Sequence, residues 1–245
     1  MGELLEVDGL SKRFGGLHAV KELSFTVGEG EIVALIGPNG AGKTTAFALI
    51  AGFLRPDTGH IRFRGHSIVG LAPHQVCRLG VARTFQIVRP FPRLTVLDNV
   101  LVGALLRHPD VPTATARAQA VLEEVGLDAK RHQPGSGLTL ADRKRLELAR
   151  ALATEPALLL LDEVMAGLNA PEIERMVELV RAINRRGISV LLIEHVMRAV
   201  MTLSQRVVVL NGGQRIAEGP PARVANDTGV IEAYLGEEYV GAAQG

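Results

Sequence analysis

Apolar positions along the chain follow two periods. Leu5 and Val7 alternate with polar neighbours, as do Leu23, Phe25 and Val27, so residues 4–27 predict two strands around a loop. Shorter, mainly apolar runs lie at Glu31–Ile36, Ala157–Leu161 and Ile188–Ile193. Runs of that length and composition predict strands buried on both faces, as in a parallel sheet. His60–Arg64 after the turn Arg55–Gly59, and Val81–Gln86, predict further strands. Arg206–Leu210, the turn Asn211-Gly212-Gly213 and a last strand to Glu218 predict a hairpin. Helical spacing marks Thr45–Ile50, Pro73–Leu79, Thr95–Arg107, Ala114–Val125, Ala141–Ala153, Pro171–Arg186 and Val196–Leu203, with short helices near Ala222 and Ile231. The segment His108–Pro112 separates the helix at Thr95–Arg107 from the one at Ala114–Val125, and Gly187 closes the helix before it. Alternating strands and helices, interrupted by a mostly helical stretch, predict an α/β protein with an insertion.

Composition narrows the class. The chain has 245 residues, 47% hydrophobic and 22% charged, enough for one large α/β domain. A net charge of +1 with both signs interspersed gives no electrostatic footprint for nucleic acid, and none is expected as a partner. The single cysteine, Cys77, excludes an internal disulfide and suits a reducing compartment; a small buried role is its expected one. The first residues lack the basic and apolar regions of a signal peptide. No apolar run approaches the roughly 20 residues that span a bilayer, so a membrane role is expected to come through partners.

The chemistry is concentrated in Gly37-Pro38-Asn39-Gly40-Ala41-Gly42-Lys43-Thr44-Thr45, which satisfies G-x-x-x-x-G-K-[ST]. The loop sits between a buried strand and a helix, where backbone N–H groups converge on an anion at a helix N-terminus. Lys43 is placed to reach the β- and γ-phosphates and the Thr44 hydroxyl to ligate Mg²⁺. The run ending in Asp162-Glu163 puts two carboxylates at the carboxyl end of a parallel strand, where such sheets bind ligands. Asp162 there would hold Mg²⁺ through water, and Glu163 would polarise an attacking water. His195, just past another strand end, either hydrogen-bonds a γ-phosphate or is structural. Gln86 either binds Mg²⁺ or its water, or faces solvent. Phe14, beside Gly15-Gly16, either stacks on a purine or packs beneath a loop.

Taken together these residues resemble the ATP-binding subunit of ABC transporters, and among them the ATPase of branched-chain amino-acid importers. The resemblance runs over essentially the whole chain and includes Arg13-Phe14-Gly15-Gly16, Arg83-Thr84-Phe85-Gln86, Ala166-Gly167-Leu168-Asn169 and Ala233-Tyr234-Leu235-Gly236. It implies a P-loop NTPase core with a mostly parallel sheet, an N-terminal antiparallel β subdomain and an inserted α-helical subdomain. Core and β subdomain would be 1–86 and 156–245, and the insertion 87–155. It makes Phe14 the adenine-stacking aromatic, Gln86 the residue sensing Mg²⁺ and the membrane partner, Glu163 the catalytic carboxylate and His195 the switch histidine. ATP and Mg²⁺ are the implied ligands. The implied partners are a second ATPase subunit, identical or different, two transmembrane permease subunits and, indirectly, a substrate-binding protein. The implied location is peripheral, on the cytoplasmic face of the inner membrane. Importers of urea, amides or aromatic compounds use similar subunits, as do exporters of lipid-linked sugars; a soluble non-transport ATPase is a more distant alternative.

One motif departs from the family. The Leu-Ser-Gly-Gly-Gln signature, which faces the ATP of the opposite subunit, reads Leu138-Thr139-Leu140-Ala141-Asp142 here. Ala141 adopts positive φ less easily than glycine. Asp142 suits a helix start, yet would repel phosphate if it pointed inward. Val164 also stands where a proline is common. The altered signature predicts a chain that works best as half of a heterodimer; alternatively the backbone amides suffice and the changes are tolerated. The charged start of the helix that follows, Asp142 to Glu147, reads as a solvated face.

Overall fold

The computed structural model describes residues 2–85 and 90–234. Two sheets carry the fold. The first is antiparallel, in the order β2-β1-β4-β5, from β1 (Glu3–Phe14), β2 (Leu17–Gly28), β4 (Thr58–Phe63) and β5 (His66–Ser67). The second has the order β10-β9-β3-β8-β7-β6, from β3 (Ile32–Ile36), β6 (Val81–Arg83), β7 (Leu158–Asp162), β8 (Ser189–Ile193), β9 (Arg206–Asn211) and β10 (Gln214–Gly219). Its strands run parallel except β10, which returns antiparallel beside β9.

Period-two geometry divides each central strand between two cores. Ile32, Ala34, Leu159, Leu161, Val190 and Leu192 face one apolar layer. Val33, Leu35, Leu158, Leu160, Leu191 and Ile193 face the other, against the antiparallel sheet and α1 (Lys43–Ile50). With both faces covered, β3, β7 and β8 are buried along their whole length, which explains their almost wholly apolar composition, Asp162 and Ser189 being the exceptions. Each fully buried leucine or valine contributes roughly 1.5–3 kcal/mol. The parallel arrangement brings Ile36, Arg83, Asp162 and Ile193 to one edge of the sheet.

The helices are α2 (Pro73–Leu79), α3 (Val96–Ala104), α4 (Val111–Glu124), α5 (Leu140–Leu152), α6 (Ala170–Arg185), α7 (Met197–Leu203) and α8 (Pro221–Val224), with a further helical stretch at 228–234. Caps set their boundaries. Asn169 and Glu172 cap α6 reciprocally, each side-chain oxygen accepting the other's backbone N–H at 3.0 Å. α4 begins three residues earlier than the sequence predicts. Asp110 accepts the Thr113 N–H at 2.9 Å, and Pro112 sits in the first turn, where its missing N–H costs nothing.

Two expectations fail. The strand expected over Val81–Gln86 stops at Arg83, because the Phe85 N–H donates to Glu147 Oε1 of α5 at 2.6 Å instead of extending the ladder. The start of α5 is no solvated face: Asp142, Lys144 and Glu147 are all buried. Each has a partner within the protein: the Lys144 ammonium donates to Glu163 O at 2.8 Å, and Asp142 pairs with Lys130 and Arg145.

Glu147, 7% exposed, joins α5 to the end of β6. Burial pushes its carboxyl up from 4.5 to about 7 and the Asp162 charge adds to the rise, against the Phe85 N–H and the Arg150 and Lys144 cations. A carboxyl whose pKa is raised by folding keeps its proton where the unfolded chain releases it. That contribution to stability is complete below about 4.5 and is lost as pH rises through about 7. Glu147→Gln keeps the acceptor and cannot ionise. In thermal melts it gains on the native chain as pH rises from about 5 to about 8, by on the order of 1–3 kcal/mol; parallel curves would contradict this assignment.

Candidate active site

The loop after β3 is shaped by three glycines at positive φ: Gly37 (146°), Gly40 (75°) and Gly42 (99°). A Cβ at Gly37 would lie 2.0 Å from Leu210 O, and one at Gly42 would lie 2.2 Å from Ala19 O. The loop is therefore clamped between the end of β9 and strand β2, and only glycine fits at either point. α1 opens at Gly42 with no side-chain cap and no acidic residue in its first turn, which leaves its N-terminal N–H groups directed at whatever the loop holds. Lys43 is buried and folds back on this loop, Nζ donating to Gly37 O at 2.5 Å and Pro38 O at 2.7 Å. Asn39, Gly40 and Thr44 are exposed, Gly42 and Thr45 are half-buried, and Pro38 and Ala41 are buried.

At the adjacent strand ends, Asp162 is 1% exposed. Its Oδ2 accepts from Arg83 Nη2 at 2.8 Å, and its backbone N–H donates to Thr84 Oγ1 at 3.1 Å. Its Oδ1 is buried and has no hydrogen-bond partner among the described residues. Glu163 follows at φ 50°, a left-handed conformation that costs a non-glycine residue about 1–3 kcal/mol. Neighbours over-determine it: its N–H donates to Ile193 O at 2.9 Å, its carbonyl accepts from Lys144, and the next turn is pinned by Met165 N–H on Glu194 Oε1 at 2.8 Å. Glu194 is itself buried, and burial raises its carboxyl above the usual range. His195 Nε2 lies 2.8 Å from Glu163 Oε1, so the two strand-end residues meet.

Thr44 and Asp162 line one cleft of about 780 Å³, together with Arg83, Phe85, Glu147 and Arg150. Among the described residues no group of three or more His, Cys, Asp or Glu could cage a metal. One hydroxyl and one unpaired carboxylate oxygen fit instead a cation that arrives with phosphate oxygens and keeps most of its waters, the habit of Mg²⁺.

The other expected residues are distributed differently. Phe14, 46% exposed at the β1–β2 turn, is not a core aromatic; Lys12 Nζ stands 5.7 Å from its ring centroid. Gln86 lies outside the described residues. Leu138–Asp142 does not join the cleft at Thr44 and Asp162: Thr139, Ala141 and Asp142 line a separate pocket with Leu168, and Leu140 packs near Gly167. Two expectations about that segment are overturned. Ala141 needs no positive φ, because α5 already begins at Leu140. Asp142 points into protein, where Lys130 (2.5 Å) and Arg145 neutralise it and hold its carboxyl below the usual range against the cost of burial. Cys77 is half-buried on the wall of the cleft rather than sealed in the core.

Sequence reasoning missed Arg83, Lys144 and Glu147. A signal was present for the last two: they stand one helical turn before Leu148 and Ala151, on the apolar stripe of α5.

Comparisons with known proteins place the chain in a family. Residues 20–166, more than half of the chain, match the family described as ABC transporter, and 214–240 match the family described as branched-chain amino acid ATP-binding cassette transporter. The chain is 44% identical to the high-affinity branched-chain amino acid transport ATP-binding protein LivG of Salmonella typhimurium, covering 96% of this chain and 98% of that protein. It is 40% identical to the corresponding BraF of Pseudomonas aeruginosa at the same coverage. It is also 36% identical to the lipopolysaccharide export system ATP-binding protein LptB of Acidithiobacillus ferridurans, over 98% of this chain and 99% of that one. The crystal structure of an ATP-binding cassette of an ABC transporter in its ADP conformation superposes with a TM-score of 0.88 at 30% identity, over 96% of this chain and all of that one. The chain belongs to the ABC transporter family, as an ATP-binding subunit that hydrolyses ATP.

Proposed function

We propose that this subunit powers an importer of branched-chain or other hydrophobic amino acids, with ATP and Mg²⁺ held between it and a second ATPase subunit. The observation that carries the reading is the meeting of the glycine-clamped Lys43 loop with the strand-end acids Asp162 and Glu163. Lys43 exchanges its two carbonyl partners for phosphate oxygens, while Gly42 to Thr45 offer backbone N–H groups at the start of α1. Thr44 and Asp162 Oδ1 would hold Mg²⁺, which supplies positive charge against the phosphates. Glu163 accepts the proton of the attacking water, and His195, in contact with its carboxylate, keeps it aimed and is placed to reach phosphate in turn. Phe14 offers an exposed ring for the adenine, and Gln86 follows the segment that holds Asp162.

Coupling needs a membrane partner, since no helix among the described residues is long and apolar enough to cross a bilayer. Phe53, Phe85 and Val102 are exposed around the cleft between α3, α5 and the β6 end, with Phe91 stacked on Arg150 beside them. An apolar rim of this kind suits docking of two permease subunits on the cytoplasmic face of the inner membrane. The insertion 87–155 contributes α3 and α5 to it. A substrate-binding protein would choose the cargo. Amino acids are favoured over lipopolysaccharide by the match at 214–240 and by the higher identity to LivG and BraF.

The signature segment favours a heterodimer. Thr139 donates its only hydroxyl proton to Asp142 Oδ2 at 2.9 Å and accepts the Asp142 N–H at 3.2 Å, so no proton remains for a phosphate across the dimer.

Lys43→Ala weakens ATP binding about 10- to 100-fold, the worth of lost charge-assisted bonds. Glu163→Gln leaves binding intact and lowers hydrolysis about 10²- to 10⁴-fold, with the closed dimer accumulating in size-exclusion profiles. Normal turnover by the glutamine variant contradicts the mechanism. Placing Gly-Gly-Gln at 140–142 raises ATPase activity of the assembled transporter; an unchanged rate removes the case for asymmetry.

A further inference from the structure

Arg83 belongs to no phosphate-binding or catalytic motif, yet its environment is among the most constrained near the site. Its side chain is 10% exposed, and Nη2 donates to Asp162 Oδ2 at 2.8 Å. The guanidinium also lies 5.9 Å from the ring centroid of Phe47, 5.7 Å from that of Phe53 and 5.4 Å from that of Phe85. Phe53 and Phe85 themselves meet edge to face at 5.6 Å. Three separate segments therefore fix one cation. Phe47 lies on α1, one turn beyond Lys43 and Thr44; Phe53 follows that helix; Phe85 lies beside Gln86 in sequence.

The consequence falls on Asp162. A carboxylate on a strand end can rotate about χ2 and present either oxygen. Here Arg83 takes Oδ2 and the Thr84 hydroxyl takes the backbone N–H, so Oδ1 alone is left without a partner among the described residues. Asp162 and Thr44 line the same cleft. Metal affinity depends on groups that hold a ligand's other atoms, because they remove the freedom the ligand would lose on binding. A planar guanidinium is shaped for such a role, since its faces stack on rings while its edge presents N–H to the carboxylate. An ammonium supplies the charge without the plane.

We propose that Arg83 is a positioning residue for the magnesium-side acid, its aromatic cage locking Asp162 with one oxygen turned to the metal. This rests on the reading of Asp162 as that acid. The rival is that Arg83 only neutralises a buried charge, and the two differ in what magnesium does for nucleotide affinity.

The proposal is tested by titrating the full chain with a fluorescent, non-hydrolysable ATP analogue, once with Mg²⁺ and once with EDTA. For Arg83→Met the affinity gained from Mg²⁺ falls about tenfold, while metal-free affinity stays within about twofold of native. Arg83→Lys restores the melting temperature and only part of the magnesium gain. Should Arg83→Met fail to fold, Arg83→Lys alone decides by the same split. A native magnesium gain in the arginine variants, alongside a lost gain in Asp162→Asn, overturns the proposal and leaves charge neutralisation. If the unmodified chain gains nothing from Mg²⁺, or Asp162→Asn keeps the full gain, the functional reading of Asp162 falls first and this inference with it.

Discussion

A carboxylate almost sealed from water must be balanced, and the balancing of Asp162 organises the edge of the sheet where the parallel strands end. An unpaired charge at such depth costs several kcal/mol. Arg83 supplies the counter-charge from the neighbouring strand, and three phenylalanines hold Arg83 in turn. Pairing one oxygen with a cation and leaving the second without a partner among the described residues is a poor arrangement for stability alone. It fits the proposed binding of a second cation beside Asp162.

Strain follows the same logic. Glu163 sits in left-handed backbone one residue beyond the strand, held by Ile193 O, by Lys144 from α5 and by the Glu194-pinned turn. The carboxylate that meets His195 is thus fixed by contacts from β8 and from the helix that begins at the signature segment. Glu147 fastens that same helix to Phe85. The strand-end acids and the helix that begins at Leu140 are thereby tied together, which suits the proposed coupling to a membrane partner.

Much of this was legible in the sequence, and the remainder was hidden for definite reasons. The glycine loop declares itself because backbone approach to Leu210 and Ala19 leaves room for nothing else at Gly37 and Gly42. The runs at Ala157–Leu161 and Ile188–Ile193 are legible because both faces of the strands they form are covered. What the chain conceals is pairing between distant residues. Arg83 and Asp162 are 79 positions apart, and Phe85 and Glu147 are 62 apart. Local reading therefore assigns Asp142, Lys144 and Glu147 to solvent, when each is buried against a partner that sequence spacing cannot identify. The expectation that Ala141 would resist a glycine conformation dissolves for a related reason: the cap at Thr139 starts the helix one residue before it. Phe14 is undecided by spacing because an exposed ring at a hairpin turn and a buried one have the same local sequence.

The most direct measurement is a crystal structure of the full chain with Mg²⁺ and a non-hydrolysable ATP analogue. The account predicts the triphosphate inside the 37–45 loop, Lys43 Nζ released from the Gly37 and Pro38 carbonyls onto phosphate oxygens, and the metal between Thr44 and Asp162 Oδ1. A nucleotide bound elsewhere, or Lys43 still closed on its own loop with the ligand present, would contradict it.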